Sequence, residues 1–223
     1  MRMRRKKNLE EKLSSCANLM DFPKISDDIR NIVQSKEYID FASYFGNLNP
    51  MRLEIGCGKG TFVCECAARN PEINYLAVEL NKSVILMACK KAELLGLKNV
   101  LFLHLPAEIL TKYIPDNSID AIYLNFSTPF PGSPNATKRL TNGKFIDIYK
   151  QLLVPGGEIH QKTDNRGLFE YSIEQFSQKG MALKNVSLDL HADNDENNIV
   201  TEYESKFVSL GLPIYRLTAY ENK

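Results

Sequence analysis

The chain lacks any long apolar run. No stretch in its 223 residues approaches the roughly 20 apolar positions that a bilayer-spanning helix needs. Its basic start runs into Asn8-Leu9-Glu10-Glu11-Lys12 rather than the apolar core of a secretory signal, so a cytoplasmic location is expected. Cysteine is sparse and odd in number: Cys16, Cys57, Cys64, Cys66 and Cys89, at irregular spacing, which argues against a disulfide framework. Cys64-Glu65-Cys66 has no matching pair elsewhere, and residues two apart on a helix point to different faces. These cysteines read as small buried hydrophobes. The histidines His104, His160 and His191 are widely separated and form no H-E-x-x-H, so no metal site is expected. Large net charge is also missing, at +1, and by itself it says nothing about nucleic acid.

The charge distribution says more. Arg2, Arg4, Arg5, Lys6 and Lys7 form a basic head. It reads equally as an electrostatic arm for phosphates or as a solvated terminus without a role. An apolar fraction of 43% and a charged fraction of 25% are ordinary for a globular protein. The length suits one domain with a sizeable core. Residues 1–48 read as a basic arm and helical extension, and residues 49–223 as a single globular unit.

The most informative string is Leu53-Glu54-Ile55-Gly56-Cys57-Gly58-Lys59-Gly60, with Glu79 ending the next apolar run. A strand that enters glycines and then a helix lets backbone approach a ligand. An acid roughly 20 residues on can accept hydrogen bonds from ribose hydroxyls. The spacing is G-x-G-x-G, not the dinucleotide G-x-G-x-x-G. Glu54 stands beside it, where a pyrophosphate would be repelled. A ligand with a cationic amino end tolerates that carboxylate, and S-adenosylmethionine is such a ligand. A nicotinamide-dependent dehydrogenase is the rival that Glu54 speaks against. The plain alternative is a tight strand-to-helix turn in an unrelated α/β protein.

Strand-like and helix-like segments alternate along the chain, which indicates an α/β sheet covered by helices. Residues 8–48 look helical, broken at Pro23 and near Asn47-Leu48-Asn49-Pro50. Strands are expected at 51–55, 75–80, 100–105, 119–125 and 158–162. Helices are expected after the glycines (Phe62, Val63, Cys66, Ala67), before Gly96 (Val84, Ile85, Ala88, Cys89, Ala92, Leu95), at 108–113, at 143–153 and at 169–178. Val154-Pro155-Gly156-Gly157 reads as a turn, and 191–198 as a polar surface loop between two closing strands near 183–190 and 213–219. In open α/β sheets ligands lie beyond the carboxyl ends of the strands. The segments 54–60, 79–81, 105–107, 127–131 and 163–165 are therefore expected to line one crevice.

Further strings carry a resemblance. They are Ile122-Tyr123-Leu124-Asn125-Phe126-Ser127, Arg139-Leu140-Thr141, Pro155-Gly156-Gly157-Glu158-Ile159-His160 and Lys162-Thr163-Asp164-Asn165. Val186 to His191, Thr201-Glu202-Tyr203-Glu204 and Pro213-Ile214-Tyr215-Arg216-Leu217 complete them. With Arg2-Met3-Arg4-Arg5-Lys6 and the glycine string, in this order, the chain resembles the bacterial tRNA (guanine-N(7)-)-methyltransferase family, TrmB, over nearly its whole length. The resemblance implies a class I methyltransferase fold: Rossmann-like α/β, a seven-stranded mostly parallel sheet with helices on both faces and its last strand antiparallel. It also implies S-adenosyl-L-methionine as methyl donor and a guanine of the tRNA variable loop as acceptor.

By the same resemblance, Glu54, Gly56, Gly58, Gly60 and Glu79 belong to the cofactor side. Asp164 and the run Thr201, Glu202, Tyr203, Glu204 belong to the guanine side, with Asp164 also the candidate catalytic group. Arg2, Arg4, Arg5, Lys138 and Arg139 are expected on the RNA backbone, in a monomer or homodimer. The nearest structural readings stay open beside these. Asp164 could cap the helix that follows, Glu202 and Glu204 could be solvated acids, and Tyr123 and Phe130 could be packing. The chain departs from the family pattern where D-P-W-P-K is usual. It reads Thr128-Pro129-Phe130-Pro131-Gly132, and Pro106 replaces an acid or amide before Ala107-Glu108. The altered loop raises a rival, a weakly active or non-catalytic relative that binds donor or tRNA.

Overall fold

The computed structural model describes residues 8–22 and 33–221. The chain divides into two compact units, one up to Pro115 and one from Asp116.

The first unit is built on four parallel strands, β1 (Leu19–Asp21), β2 (Met51–Ile55), β3 (Asn74–Val78) and β4 (Val100–His104), in the order β1-β4-β3-β2. Parallel strands covered on both faces read as continuous apolar runs rather than alternating ones. Accordingly β3 is buried at every position and β4 at all but His104. The helices are α1 (Leu9–Ser14), α2 (Phe41–Phe45), α3 (Thr61–Arg69), α4 (Lys82–Leu94) and α5 (Leu110–Tyr113). Helix α3 buries Phe62, Val63, Cys66 and Ala67, the stripe expected of it. Helix α4 buries Ile85, Ala88, Cys89 and Ala92 and stops at Leu94. Left-handed Gly96 donates its N–H back to the Glu93 carbonyl, which leaves Leu95 outside the helix and exposed.

The extension departs from its helical expectation. Residues 19–21 form β1, an edge strand in register with β4. Three residues are too few to display a period, so nothing in the pattern announces a strand there.

The second unit contains β5 (Ile119–Asn125), α6 (Gly143–Leu152), β6 (Leu153–Thr163), α7 (Arg166–Gln178), β7 (Met181–Ser187), α8 (Glu202–Val208) and β8 (Tyr215–Glu221). The strand order is β5-β6-β8-β7, with β5 parallel to β6 and β8 antiparallel to both its neighbours. Phe145, Tyr149, Phe169 and Phe176 fill the core between strands and helices. Each such side chain contributes about 1.5–3 kcal/mol by leaving water. Gln161 donates to the Ser172 hydroxyl, which bonds Thr141, so this buried polar cluster is joined by hydrogen bonds.

The turn expected at 154–157 lies inside β6. The β5–β6 register shifts between Ile119 and Ala121, and left-handed Gly156 absorbs the irregularity, so the strand continues through what reads as a breaker. The described strands number eight, one more than the seven implied by the resemblance, and β1 of the extension is the addition. No helix among the described residues is long and apolar enough to cross a membrane.

Candidate active site

In the first unit the glycine string forms a turn pinned to the end of β3. Gly56 and Cys57 both donate backbone N–H groups to the Val78 carbonyl, at 2.8 and 3.0 Å. Gly58 and Gly60 are left-handed, with φ of 57° and 75°. Gly60 is also a close-approach position, because a Cβ there would stand 2.8 Å from the Ala88 Cβ of α4. Above Gly56 and Gly58 the situation is the reverse: an added Cβ would meet nothing within 4 Å. The turn therefore presents bare backbone to open space.

Two carboxylates lie near that turn. Glu79 follows β3, and its side chain accepts the Gly58 N–H at 3.2 Å and the Asn81 N–H at 2.8 Å. This clamps the acid onto the glycine turn while its remaining lone pairs stay available to hydroxyl donors. Asn81 in turn caps α4 through Ser83 and Val84. Glu54 is buried in β2, two residues before Gly56. Burial first, then the charges of Glu54 and Glu79, hold the Cys57 thiol well above its ordinary range. Cys57 is therefore a neutral thiol rather than a nucleophile. All five cysteines are buried and none forms a disulfide. A buried acid beside an open glycine turn suits a cationic ligand bearing hydroxyls and opposes a phosphate.

In the second unit Asp164 follows β6 and is half-buried. Its capping role falls to Asn165, whose side chain accepts the Leu168 N–H at 2.8 Å. Among the described residues none donates a hydrogen bond to the Asp164 carboxylate. Asp164 lies near Tyr203: burial first, then this carboxylate, push the Tyr203 phenol up. The Tyr203 ring, 49% exposed, meets the Phe126 ring at 5.3 Å and the Phe207 ring at 4.7 Å. Phe126 itself is left-handed, with φ 51°, an uncommon conformation for an aromatic residue. An acceptor and an aromatic surface thus adjoin, the two groups that a flat, donor-bearing base requires.

The run from Thr201 to Glu204 divides. Thr201 and Glu204 form a capping box at the start of α8. Glu204 is 0% exposed and accepts from Lys162 Nζ at 2.7 Å, Asn198 Nδ2 at 2.7 Å and His191 Nε2 at 2.9 Å. Burial opposes its ionisation, but Lys162, Asn198 and His191 prevail and hold its carboxyl below the ordinary range. The expectation that Glu204 meets a base is corrected: both oxygens are engaged inside the protein, and the residue anchors α8. Glu202 and Tyr203 are the exposed members. Lys162, His191 and Asn198 carry this anchor, a role that the sequence reading assigns to none of them. The one signal for it was the T-x-x-E spacing of a capping box.

The expected phosphate-binding residues also separate. Arg2, Arg4 and Arg5 lie outside the described residues. Lys138 is exposed and reaches Asn135. Arg139 is half-buried; it donates to the Pro129 and Phe130 carbonyls and stacks on Tyr171 at 4.4 Å. Its guanidinium braces the altered loop, where Phe130 is left-handed with φ 40°. Among the described residues no cluster of three or more His, Cys, Asp or Glu could hold a metal ion.

Comparison with known proteins adds to this geometry. A family model described as "Putative methyltransferase" matches residues 48–217. A curated tRNA (guanine-N(7)-)-methyltransferase of Streptococcus suis is 49% identical over 80% of this chain and 84% of its own length. One of Streptococcus thermophilus is 49% identical over 78% and 82%. Among solved structures, the 16S rRNA methyltransferase KamB superposes with a TM-score of 0.63 at 16% identity, covering 84% of this chain and 96% of that one; the likeness is one of fold. The chain has the class I methyltransferase fold and belongs to the tRNA (guanine-N(7)-)-methyltransferase family.

Proposed function

We propose that this protein is the methyltransferase that forms 7-methylguanosine in the variable loop of tRNA, working in the cytoplasm. The observation that carries the reading is the Glu79 carboxylate clamped to the Gly58 N–H beside an open glycine turn. S-adenosylmethionine supplies the methyl group, already activated on a sulfonium. Its fit to the first unit rests on three features: bare backbone at Gly56 and Gly58, a buried acid at Glu54 for a cationic end, and a braced acceptor at Glu79 for hydroxyls.

The acceptor side follows from the chemistry of guanine. Its N7 lone pair is free, so no proton has to be removed before attack and no general base is required. Asp164 accepts from the N–H donors of the Watson–Crick edge, a pattern adenine does not present. Positive charge grows on the base during transfer, and a nearby carboxylate stabilises it. Phe126 and Tyr203 offer rings against which a base turned out of its stack can lie. Phosphate contacts fall to the basic head and Lys138. Arg139 supports the loop.

Incubating the purified protein with unmodified tRNA and S-adenosylmethionine, followed by nucleoside analysis of the digested tRNA, tests the reading. The expected product is 7-methylguanosine. Its absence, with donor binding intact by calorimetry, overturns the acceptor assignment.

A further inference from the structure

The glycine turn and Glu79 are joined to a part of the chain with no expected role, the short edge strand β1. Asp21 and His104 are register partners across the β1–β4 ladder. The His104 Nδ1 stands 2.6 Å from Asp21 Oδ1, and its Nε2 stands 3.0 Å from the Leu80 carbonyl oxygen. A carboxylate and a carbonyl only accept, so in each contact the His104 ring nitrogen is the donating partner. Leu80 lies between Glu79 and Asn81, whose N–H the Glu79 carboxylate accepts. Its side chain is in solvent, 65% exposed, so packing does not fix this residue. Hydrogen bonds do: His104 takes the carbonyl, and Glu79 spans the turn from the other side. Asp21 also takes Lys82 Nζ at 2.9 Å, and Lys82 reaches Glu10 of α1.

We infer that Asp21 and His104 are positioning residues for the methyl donor: β1 aims the Glu79 carboxylate by way of the His104 ring and the Leu80 carbonyl. This rests on the reading of Glu79 as part of the donor site. The relay touches neither donor nor acceptor. Its effect is on donor affinity, because a carboxylate that loses its fixed direction loses the advantage of being preset.

The test is calorimetric titration of the full chain with S-adenosylhomocysteine, paired with steady-state kinetics. Asp21→Ala and His104→Ala should each raise the dissociation constant about five- to ten-fold, the scale of one net hydrogen bond. The double variant should be no weaker than either single one, since both cut the same relay. The donor KM should rise while kcat at saturating donor and the KM for tRNA stay level, a split that general loss of structure does not produce. His104→Gln keeps an N–H donor for Leu80 and should bind closer to the parent than His104→Ala. Lys82→Ala removes the other partner of Asp21 and should stay within about two-fold of the parent. If the parent binds S-adenosylhomocysteine and the Asp21 and His104 variants bind it equally well, the relay is overturned. So is it if the two substitutions add, or if His104→Gln is as weak as His104→Ala. If the parent itself does not bind, the donor-site reading fails instead.

Discussion

Lys162 and Glu204 form an ion pair at 2.7 Å in which the glutamate is wholly buried and the lysine nearly so. The pair joins the end of strand β6 to the first turn of α8. Taking one partner away leaves a charge with no water to solvate it. Lys162→Met should therefore cost about 3–5 kcal/mol of unfolding free energy, read from urea denaturation. Lys162→Met combined with Glu204→Leu should recover much of that loss, because neither charge is then stranded. Equal losses in the single and double variants would count against a buried pair.

The same carboxyl gives a pH dependence with a definite sign. Glu204 sits below its ordinary value of 4.5 in the folded protein. Its stabilising contribution is thus fully present above about pH 4.5 and fades as pH falls through the lower folded value. Glu204→Gln should flatten the acid limb of a stability–pH curve while costing stability at neutral pH. An unchanged acid limb would show that other carboxylates, such as Asp21 or Asp195, govern it.

Two glycines of one turn should respond differently to alanine. At Gly60 a Cβ meets Ala88 at 2.8 Å, with the Ala88 Cα at 3.1 Å, so backbone would have to move. At Gly58 it meets nothing within 4 Å. Gly58→Ala should cost only the left-handed strain, roughly 1–2 kcal/mol, yet weaken binding of S-adenosylhomocysteine by filling the space over the turn. Gly60→Ala should lower the melting temperature by clearly more. Thermal denaturation and calorimetry on both variants separate the two effects.

Asp164→Asn removes a charged acceptor while keeping the shape. It should lower kcat/KM for tRNA about 10- to 100-fold, the worth of a hydrogen bond to a charged group, and leave the affinity for S-adenosylhomocysteine unchanged. A parallel loss of donor affinity would move Asp164 to the other side of the reaction.

Lys138 and Arg139 are neighbours in sequence with opposed expectations. Lys138→Ala should weaken tRNA binding and reduce the slope of log affinity against log salt by about one contact. Arg139→Ala should weaken it with little change in slope, because the guanidinium holds the Pro129 and Phe130 carbonyls. Salt-titrated binding curves for the two variants decide this.

Local pattern announced the strands β2 and β5 to the residue, because apolar residues recur through Met51–Ile55 and Ile119–Asn125 and the segments end at Gly56 or in a polar loop. It announced the buried stripe of α3 as well. What it missed depended on distance along the chain. Asp21 and His104 are 83 residues apart, and neither residue has a neighbour that advertises the pairing. The role of Arg139 depends on carbonyl groups about a turn of loop away. Thr201 to Glu204 was legible in two ways at once. The string that resembled a substrate motif also has the spacing of a capping box, and only the burial of Glu204 separates the helix-starting pair from exposed Glu202 and Tyr203. At 154–157 a proline and two glycines outweighed the strand signal, since composition does not reveal that a bulge lets β6 run through them.

All five cysteines fall in the first unit, buried and in no disulfide. Burial pushes the Cys64 thiol up to about 11 and raises Cys57 and Cys89 as well. Alkylating reagents at neutral pH should therefore find these sulfurs mainly during transient opening. The protein carries a built-in chemical clock for one half of itself: the pace of thiol capture reports how often that half breathes, and a ligand that binds there and closes it should slow the count.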